Sequence, residues 1–138
     1  MNTSTMHTMV LGLAVCLAVV GCRDVPSERR AISLDTTLKT YNKLVRWGEF
    51  RDAANYLVAR EGEERDLDFS EFEGVRITGL ELMSQGMADD GLEVRVQNRI
   101  HYYRDDSAVL RTVVDNQLWW YDEERKRWFL DSSLPDFK

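Results

Sequence analysis

Cysteine is scarce in this sequence, and its two copies, Cys16 and Cys22, both lie near the amino terminus. Residues 23–138 contain none, which excludes disulfides, thiol catalysis and cysteine-ligated metal sites from that part of the chain. The stability of that part must therefore come from its hydrophobic core. Histidine is equally scarce, and His101 is the only one beyond residue 22.

Charge is absent from the first 22 residues, which contain no Lys, Arg, Asp or Glu. The whole formal net charge of -6 therefore belongs to the rest of the chain. Affinity for nucleic acid depends on neutralising phosphates with Lys and Arg, and an acidic domain has no general attraction of this kind. We expect no nucleic acid partner. The length of 138 residues suits one ordinary domain and is too short for two.

The main apolar run, residues 9–20, is too short for a permanent membrane span. Its twelve residues would cover about 18 Å as a helix, whereas the hydrocarbon core is roughly 30 Å thick. A run of this length is typical of a signal peptide, here residues 1–21. The alternative is a buried apolar helix that ends in Gly21 and Cys22 by coincidence.

Residues 19–22 resemble the lipobox of bacterial lipoproteins, in which aliphatic and small residues precede an obligatory cysteine. The resemblance implies cleavage between Gly21 and Cys22, diacylation of the Cys22 thiol and usually acylation of the new amino group. Two or three acyl chains anchor a protein stably, whereas one is marginal. Arg23 stands where enterobacterial lipoproteins retained in the inner membrane have an aspartate. We therefore expect the outer membrane, with the protein facing the periplasm.

The segment after the anchor is predicted to be a tether, residues 22–30, followed by one domain, residues 31–138. Apolar residues spaced by three and four predict a helix from about residue 27 or 31 to residue 47, and a second over residues 49–60. These helices should form a hairpin. The acidic residues 61–74 could form a cation-binding loop, but their spacing does not match an EF-hand. We favour a solvated linker fixed to the core by Phe69 and Phe72.

From Val75 onward the apolar period changes to two, which indicates strands. The parity switches around Gly79, which predicts a bulge or bend in the first strand. Residues 92–103 and 108–121 should form a long hairpin, with residues 127–131 as a fourth strand. If Arg104 faces Ala108, the even-numbered residues of the hairpin are buried together. The predicted fold is α+β: a helical hairpin packed on a curved four-stranded antiparallel sheet, preceded by a cleaved signal peptide.

From about residue 31 to residue 134, the chain resembles the nuclear transport factor two-like group, also called the cystatin-like α+β cone. The most suggestive segments are residues 116–121 and 126–131, because small bacterial lipoproteins with such domains often end in a similar aromatic hairpin. Some relatives are isomerases or dehydratases with Asp, His or Tyr inside the cone. Many others are non-catalytic binding or assembly domains, so the resemblance does not decide between an enzyme and a non-catalytic domain.

The residues assigned to the cone interior are mostly aliphatic or aromatic, and no acid is assigned there. His101 and Asp115 could form a catalytic pair, but in the assumed register His101 faces Arg111 and Asp115 faces Gln97. Because the pair is not directly opposed, we do not expect general acid-base catalysis. No cofactor or metal is expected.

The odd-numbered residues of the hairpin predict an outer surface for a protein partner or a second copy of the chain. Arginine beside exposed aromatic and aliphatic residues is a composition enriched in protein interfaces. The alternative is a solvated face with cross-strand charge pairs. The predicted surface consists of Arg95, Arg99, His101, Tyr103, Arg111 and Trp119.

A ligand pocket lined by Tyr41, Trp47, Tyr102 and Trp120 is the other predicted site. Alternatively, Trp47, Trp120 and Trp128 fill the open end of the cone. The expected function is that of a lipid-anchored, non-catalytic envelope protein, an interaction or assembly module for another envelope protein or for itself. Binding of a small apolar ligand or lipid is the alternative, and a ketosteroid-isomerase-like enzyme is the third.

Overall fold

A computed structural model of the chain describes residues 25–62 and 66–138. The predicted lipidation of Cys22 and the cleavage site at Gly21 and Cys22 lie outside these residues. The helical elements are α1 (Val25–Arg46), α2 (Phe50–Ala53) and two 3-10 turns (Ala54–Tyr56 and Phe69–Phe72). The strands are β1 (Val75–Met87), β2 (Glu93–Arg104), β3 (Arg111–Asp122) and β4 (Arg127–Leu130), paired antiparallel in chain order. The predicted α+β class with a four-stranded antiparallel sheet is confirmed.

Helix α1 begins at Val25, so residues 25–30, which the sequence assigns to a tether, are helical. Pro26 is compatible with this start because the first turn of a helix has no internal N–H bond to lose. The carbonyl of Arg30 accepts a hydrogen bond from Trp128 Nε1 at 3.2 Å. This part of α1 therefore packs with the domain.

The buried face of α1 is the predicted one. Its fully covered residues are Leu34, Leu38, Tyr41 and Val45. The helix ends in a Schellman motif, in which Gly48 has a φ of +73° and Glu49 N donates to Leu44 O at 2.9 Å. Gly48 is required there because other residues rarely adopt a left-handed conformation.

The second helix is much shorter than predicted. Residues 49–60 were expected to be helical, whereas α2 and its following 3-10 turn end at Tyr56. The reason is tertiary, because Leu57 forms a parallel bridge with Leu130 and Val58 N donates to Leu130 O at 3.1 Å. Pairing with the end of β4 thus overrides the local helical pattern.

An aromatic cluster packs next to α2. Phe50 stacks on Phe72 with ring centroids 4.5 Å apart, and Phe137 lies 4.9 Å from Tyr102. Phe69 also packs against the core. The prediction that Phe69 and Phe72 fix the acidic segment to the core is confirmed.

The register of the β2–β3 hairpin differs from the predicted one by one residue. Val94 pairs with Trp119. In the predicted register, in which Arg104 faces Ala108, Val94 would instead face Leu118. In the connection, Ala108 N donates to Arg104 O at 2.9 Å, and Ala108 has a φ of +48°. Because strand side chains alternate with a period of two, the shift of one residue turns β3 over.

This inversion exchanges the two faces of β3. We call the face that packs against α1 the inner face and the opposite one the outer face. The even-numbered residues of β2 are buried on the inner face, as predicted. In β3 the odd-numbered residues face inward, so the predicted burial of Leu110, Thr112, Val114, Leu118 and Trp120 is wrong. The buried residues of β3 are Asp115, Gln117 and Trp119.

Strand β1 contains two bulges. The first lies between Ile77 and Gly79, which confirms the bend predicted from the parity switch. The second lies between Leu82 and Ser84, and the strand continues to Met87. Bulges increase the twist of a strand, and the second one coincides with the part of β1 that is exposed on both faces.

Candidate functional site

The structure brings together four of the six residues predicted to form a partner surface. Arg95, Arg99, His101 and Tyr103 lie on the outer face of β2. The inverted β3 places the other two on the inner face, where Trp119 is 0% exposed and Arg111 is exposed at the end of the strand. Trp119 therefore cannot contact a partner on the outer face.

Each of the two arginines Arg95 and Arg99 on the outer face has a carboxylate nearby. Arg99 Nη1 lies 3.6 Å from Glu81 Oε2, and Arg95 Nη2 lies 3.4 Å from Glu93 Oε1. His101 Nε2 lies 3.8 Å from the same Glu81 side chain. Exposed pairs of this kind contribute about 0–1 kcal/mol each. The Arg99–Glu81 pair crosses from β2 to β1, in agreement with the alternative of cross-strand charge pairs, whereas Arg95 and Glu93 both lie on β2.

A groove of about 550 Å³ lies on the outer face beside the second bulge of β1. A polar ladder crosses three strands along it: Ser84 Oγ donates to Gln97 Oε1 at 3.2 Å, and Gln97 Nε2 donates to Asn116 Oδ1 at 2.8 Å. Leu118 adds apolar surface. Arg95 stands at the rim with 79% of its side chain exposed. The groove thus offers hydrogen-bonding groups, an apolar wall and one reachable cation.

The edge of β1 next to this groove is open. In the described ranges β1 pairs with β2 alone, and every residue from 81 to 87 is exposed. We call residues 81–87 the open edge. It carries Leu82, Met83 and Met87, which are 59%, 44% and 48% exposed. Charged residues and proline usually protect an edge strand from pairing, and residues 82–87 contain neither.

The sequence gives a signal for this edge that the predictions did not use. By sequence, Leu82 continues the alternating pattern of Leu80, and Gly86 is typical of a turn. The uncharged stretch after Glu81 was the available signal, because nearly a third of the whole chain is charged (30%). The exposure of the open edge depends on the position of α1, and the strand pattern gives no information about that position.

A polar cluster is buried on the inner face, beneath α1. Gln117 Nε2 donates to Asp115 Oδ2 at 2.6 Å, and Trp119 Nε1 donates to Gln117 Oε1 at 2.8 Å. Asn98 Nδ2 donates to Asn42 Oδ1 at 3.1 Å, which connects β2 to α1. The expectation that no acid faces the interior is therefore wrong, and the cause is the inverted register of β3.

Burial controls the ionisation of this cluster. It raises the pKa of Asp115 from 3.8 to about 6, against the opposing effect of the Gln117 hydrogen bond. Burial also raises the pKa of Tyr41, and the nearby charge of Asp115 raises it further. Within the described residues, the Tyr41 hydroxyl and Asn98 Oδ1 are buried without hydrogen-bond partners. A protonated Asp115 can thus persist at mildly acidic pH.

Access to the cluster is blocked in this conformation. Tyr41 and Trp119 are both 0% exposed and pack edge to face with ring centroids 5.1 Å apart. Asp115 is only 5% exposed, and His101 lies on the opposite face of the sheet. The His101–Asp115 pair is not formed. The cluster joins β2 to α1 through Asn98 and Asn42 and links three neighbouring residues of β3.

The four residues predicted to line a ligand pocket do not meet. Trp47 is 71% exposed just beyond α1, while Tyr41 lies in the core. Trp120 lies on the outer face, where its Nε1 donates to Val58 O at 2.9 Å. The Tyr102 hydroxyl donates to Lys138 O at 2.7 Å. Of the three tryptophans expected to fill the open end of a cone, Trp128 is buried in the core, at 1% exposure.

Residues 25–62 and 66–138 contain no group of three His, Cys, Asp or Glu side chains placed to hold a metal ion. None of the helices described above combines the length and the apolar composition that crossing a membrane requires. No protein-family model matches the chain, and no curated protein is significantly similar to it in sequence.

Proposed function

We propose that this protein is a lipid-anchored, non-catalytic module of the bacterial envelope that binds another envelope protein through the open edge of β1. The anchor is Cys22, and the domain faces the periplasm from the outer membrane. In this proposal the domain is nuclear transport factor two-like, and α1 and α2 are its helical hairpin. The partner contributes an extended segment that pairs with residues 81–87.

The exposure of the open edge is the observation that carries this proposal. A strand added to an edge completes its backbone hydrogen bonds, and pockets beside the edge provide specificity. Here the added strand would also cover Leu82, Met83 and Met87. Apolar side chains on an unpaired edge favour association, which most monomeric proteins avoid with charge or proline.

The groove beside the edge supports a particular kind of partner. Gln97 and Asn116 present amide groups along its floor, and Arg95 extends from its rim. A carboxylate on the partner segment could pair with Arg95, whose own contact with Glu93 is long, at 3.4 Å. We therefore expect an extended segment with at least one acidic residue.

The filled interior favours a partner module over a ligand carrier. The Tyr41–Trp119 contact occupies the space where the cone of a ligand binder would be open. The predicted pocket residues are also separated, with Trp47 in solvent and Trp120 on the outer face. An apolar ligand would have to displace packed side chains, which cores resist.

Photocrosslinking in intact membranes tests the proposed interface. A photoreactive residue in place of Met83 should give one specific adduct with another protein. The same residue in place of Val109, also exposed at 56%, should not give that adduct. An adduct of the size of a dimer would identify a second copy as the partner. Equal adducts from both positions, or none, would contradict the proposal.

The anchor is tested separately by mass spectrometry of the protein purified from membranes. A mature amino terminus at Cys22 that carries acyl chains is expected. An unmodified peptide that begins at Met1 would contradict the anchor and leave the edge interaction untouched.

A further inference from the structure

A second groove, which the proposed function does not use, lies at the amino-terminal end of α1. It has a volume of about 570 Å³. Its lining includes Arg29 and Arg30 from α1, Tyr121 from β3 and Lys126 from the β3–β4 turn. We call it the amino-terminal groove. Three cations from two separate elements therefore converge on one concave surface of an acidic protein.

These cations have no carboxylate partner among residues 25–62 and 66–138. In the part of the chain that the structure describes, none of Arg29, Arg30 and Lys126 forms an ion pair with a carboxylate. Several other cations do, for example Arg76 with Asp105 at 3.0 Å. Among the described residues, Glu123 is the single carboxylate that lines the groove. The described lining therefore carries a net positive charge although the chain as a whole carries -6.

Arg30 is held in position but lacks an acceptor. Its carbonyl accepts hydrogen bonds from Trp128 Nε1 at 3.2 Å and from Ser33 Oγ at 2.9 Å. Its guanidinium carbon lies 5.9 Å from the centre of the Tyr121 ring. Its Nε is shielded from solvent and has no hydrogen-bond partner among the described residues. Buried donors normally have acceptors, and this unmet donor belongs to a side chain that lines the groove.

The place of the groove in the chain indicates which anion is available. Pro26, which also lines the groove, is four residues from Cys22. Four residues of fully extended chain span at most about 14 Å. With acyl chains on Cys22, the groove lies at the level of the lipid headgroups. Tyr121 is suited to this level because its ring is apolar and its hydroxyl is polar.

We propose that the amino-terminal groove binds the phosphate of an anionic phospholipid headgroup and so fixes the orientation of the anchored domain. Arg29 and Lys126 approach the phosphate from two sides with charge-assisted hydrogen bonds, and Arg30 supplies the inner donor. This proposal rests on the lipid anchor proposed above. It gives the anchored domain a second contact with the membrane, next to the first.

Vesicle binding of the full chain with Cys22→Ser tests the groove without acylation. The vesicles contain phosphatidylcholine alone or with phosphatidylglycerol, so that any contribution of residues 9–20 appears in both. The triple variant Arg29→Gln, Arg30→Gln, Lys126→Gln should lose on the order of tenfold to a hundredfold in affinity for the anionic vesicles. A control variant with Lys39→Gln, Lys43→Gln and Arg111→Gln, which removes the same charge elsewhere, should lose much less.

The double variant Arg29→Gln, Lys126→Gln retains the half-buried Arg30 and covers the case in which the triple variant does not fold. Equal losses in the groove and control variants would overturn the proposal. Binding of inorganic phosphate that the triple variant loses, together with equal affinity of the wild type for the two kinds of vesicle, would overturn the assignment to lipid. Mass spectrometry measures the acylation of Cys22 independently of vesicle binding. A wrong prediction of the anchor can therefore be distinguished from a wrong prediction of the groove.

Discussion

Asn98 and Asp115 are direct partners across β2 and β3, and both are buried beneath α1. This pair identifies the register of the central hairpin, because a shift of one residue would place Asp115 in solvent. It also places an ionisable group in the core. The folded domain must therefore respond to pH through a residue that solvent barely reaches.

Asp115→Asn should stabilise the domain near neutral pH and reduce its pH dependence. Burial raises the pKa of Asp115 from 3.8 to about 6, so the folded state binds this proton more tightly than the unfolded state. The resulting stabilisation is present at low pH and is lost as pH rises through about 6. Removing the charge should raise the free energy of unfolding at pH 7.5 by on the order of 1–3 kcal/mol.

Urea denaturation at several pH values measures this effect. Asp106→Asn, in the exposed turn after β2, is the matched control and should follow the wild type. Identical pH profiles for the wild type and Asp115→Asn would show that Asp115 is not buried as described.

Trp119→Ala should destabilise the domain strongly, whereas Trp47→Ala should have little effect. Trp119 is 0% exposed and Trp47 is 71% exposed. Truncation of a buried tryptophan costs about 3–5 kcal/mol, and an exposed substitution is usually within about 0.5 kcal/mol of neutral. Chemical denaturation followed by circular dichroism measures both. Similar losses in the two variants would contradict the observed register of β3.

Gly79→Val should be destabilising, whereas Gly86→Val should be tolerated. A Cβ atom at Gly79 would lie 3.2 Å from His101 Cδ2, and one at Gly86 would meet nothing within 4 Å. Overpacking against the histidine ring should cost about 1–3 kcal/mol. Thermal melts of both variants provide the comparison, and equal melting temperatures would contradict the close approach of β1 and β2 at the first bulge.

Leu82→Lys should weaken partner binding without unfolding the domain. Leu82 is 59% exposed on the open edge, so a lysine there remains in water in the free protein but charges the surface that an added strand would cover. The yield of the Met83 crosslink should fall severalfold while the melting temperature is unchanged. Val109→Lys, in the loop before β3, serves as the control. A crosslink yield that falls equally in both variants would exclude a specific role for the edge.

The strand pattern predicted most of the architecture because it was unambiguous in β2 and at Gly79. In β2 nearly all apolar residues share one parity, and at Gly79 the parity changes once. Strand β3 carries apolar residues on both parities, for example Val113 and Val114. Its register depended on the backbone of Ala108, where a positive φ is uncommon for a residue with a side chain.

The candidate sites were harder to predict because each depends on tertiary contacts. Gln117 is buried because Asp115 and Trp119 satisfy its amide, although a polar residue in an alternating strand is ordinarily assigned to the outside. The predicted second helix is too long because Leu57 forms a bridge with Leu130, which is far away in sequence. The amino-terminal groove joins Arg30 to Lys126, and no local pattern relates these two residues.

The early start of α1 at Val25 has a further consequence for binding. In the proposed lipid-anchored form, only residues 23 and 24 lie between Cys22 and the described part of the helix, so the domain would stay close to the bilayer. A partner in the same membrane then meets the open edge at an effective concentration on the order of millimolar. Under these conditions a weak strand interaction is sufficient for a stable assembly, and the purified domain in dilute solution should remain a monomer.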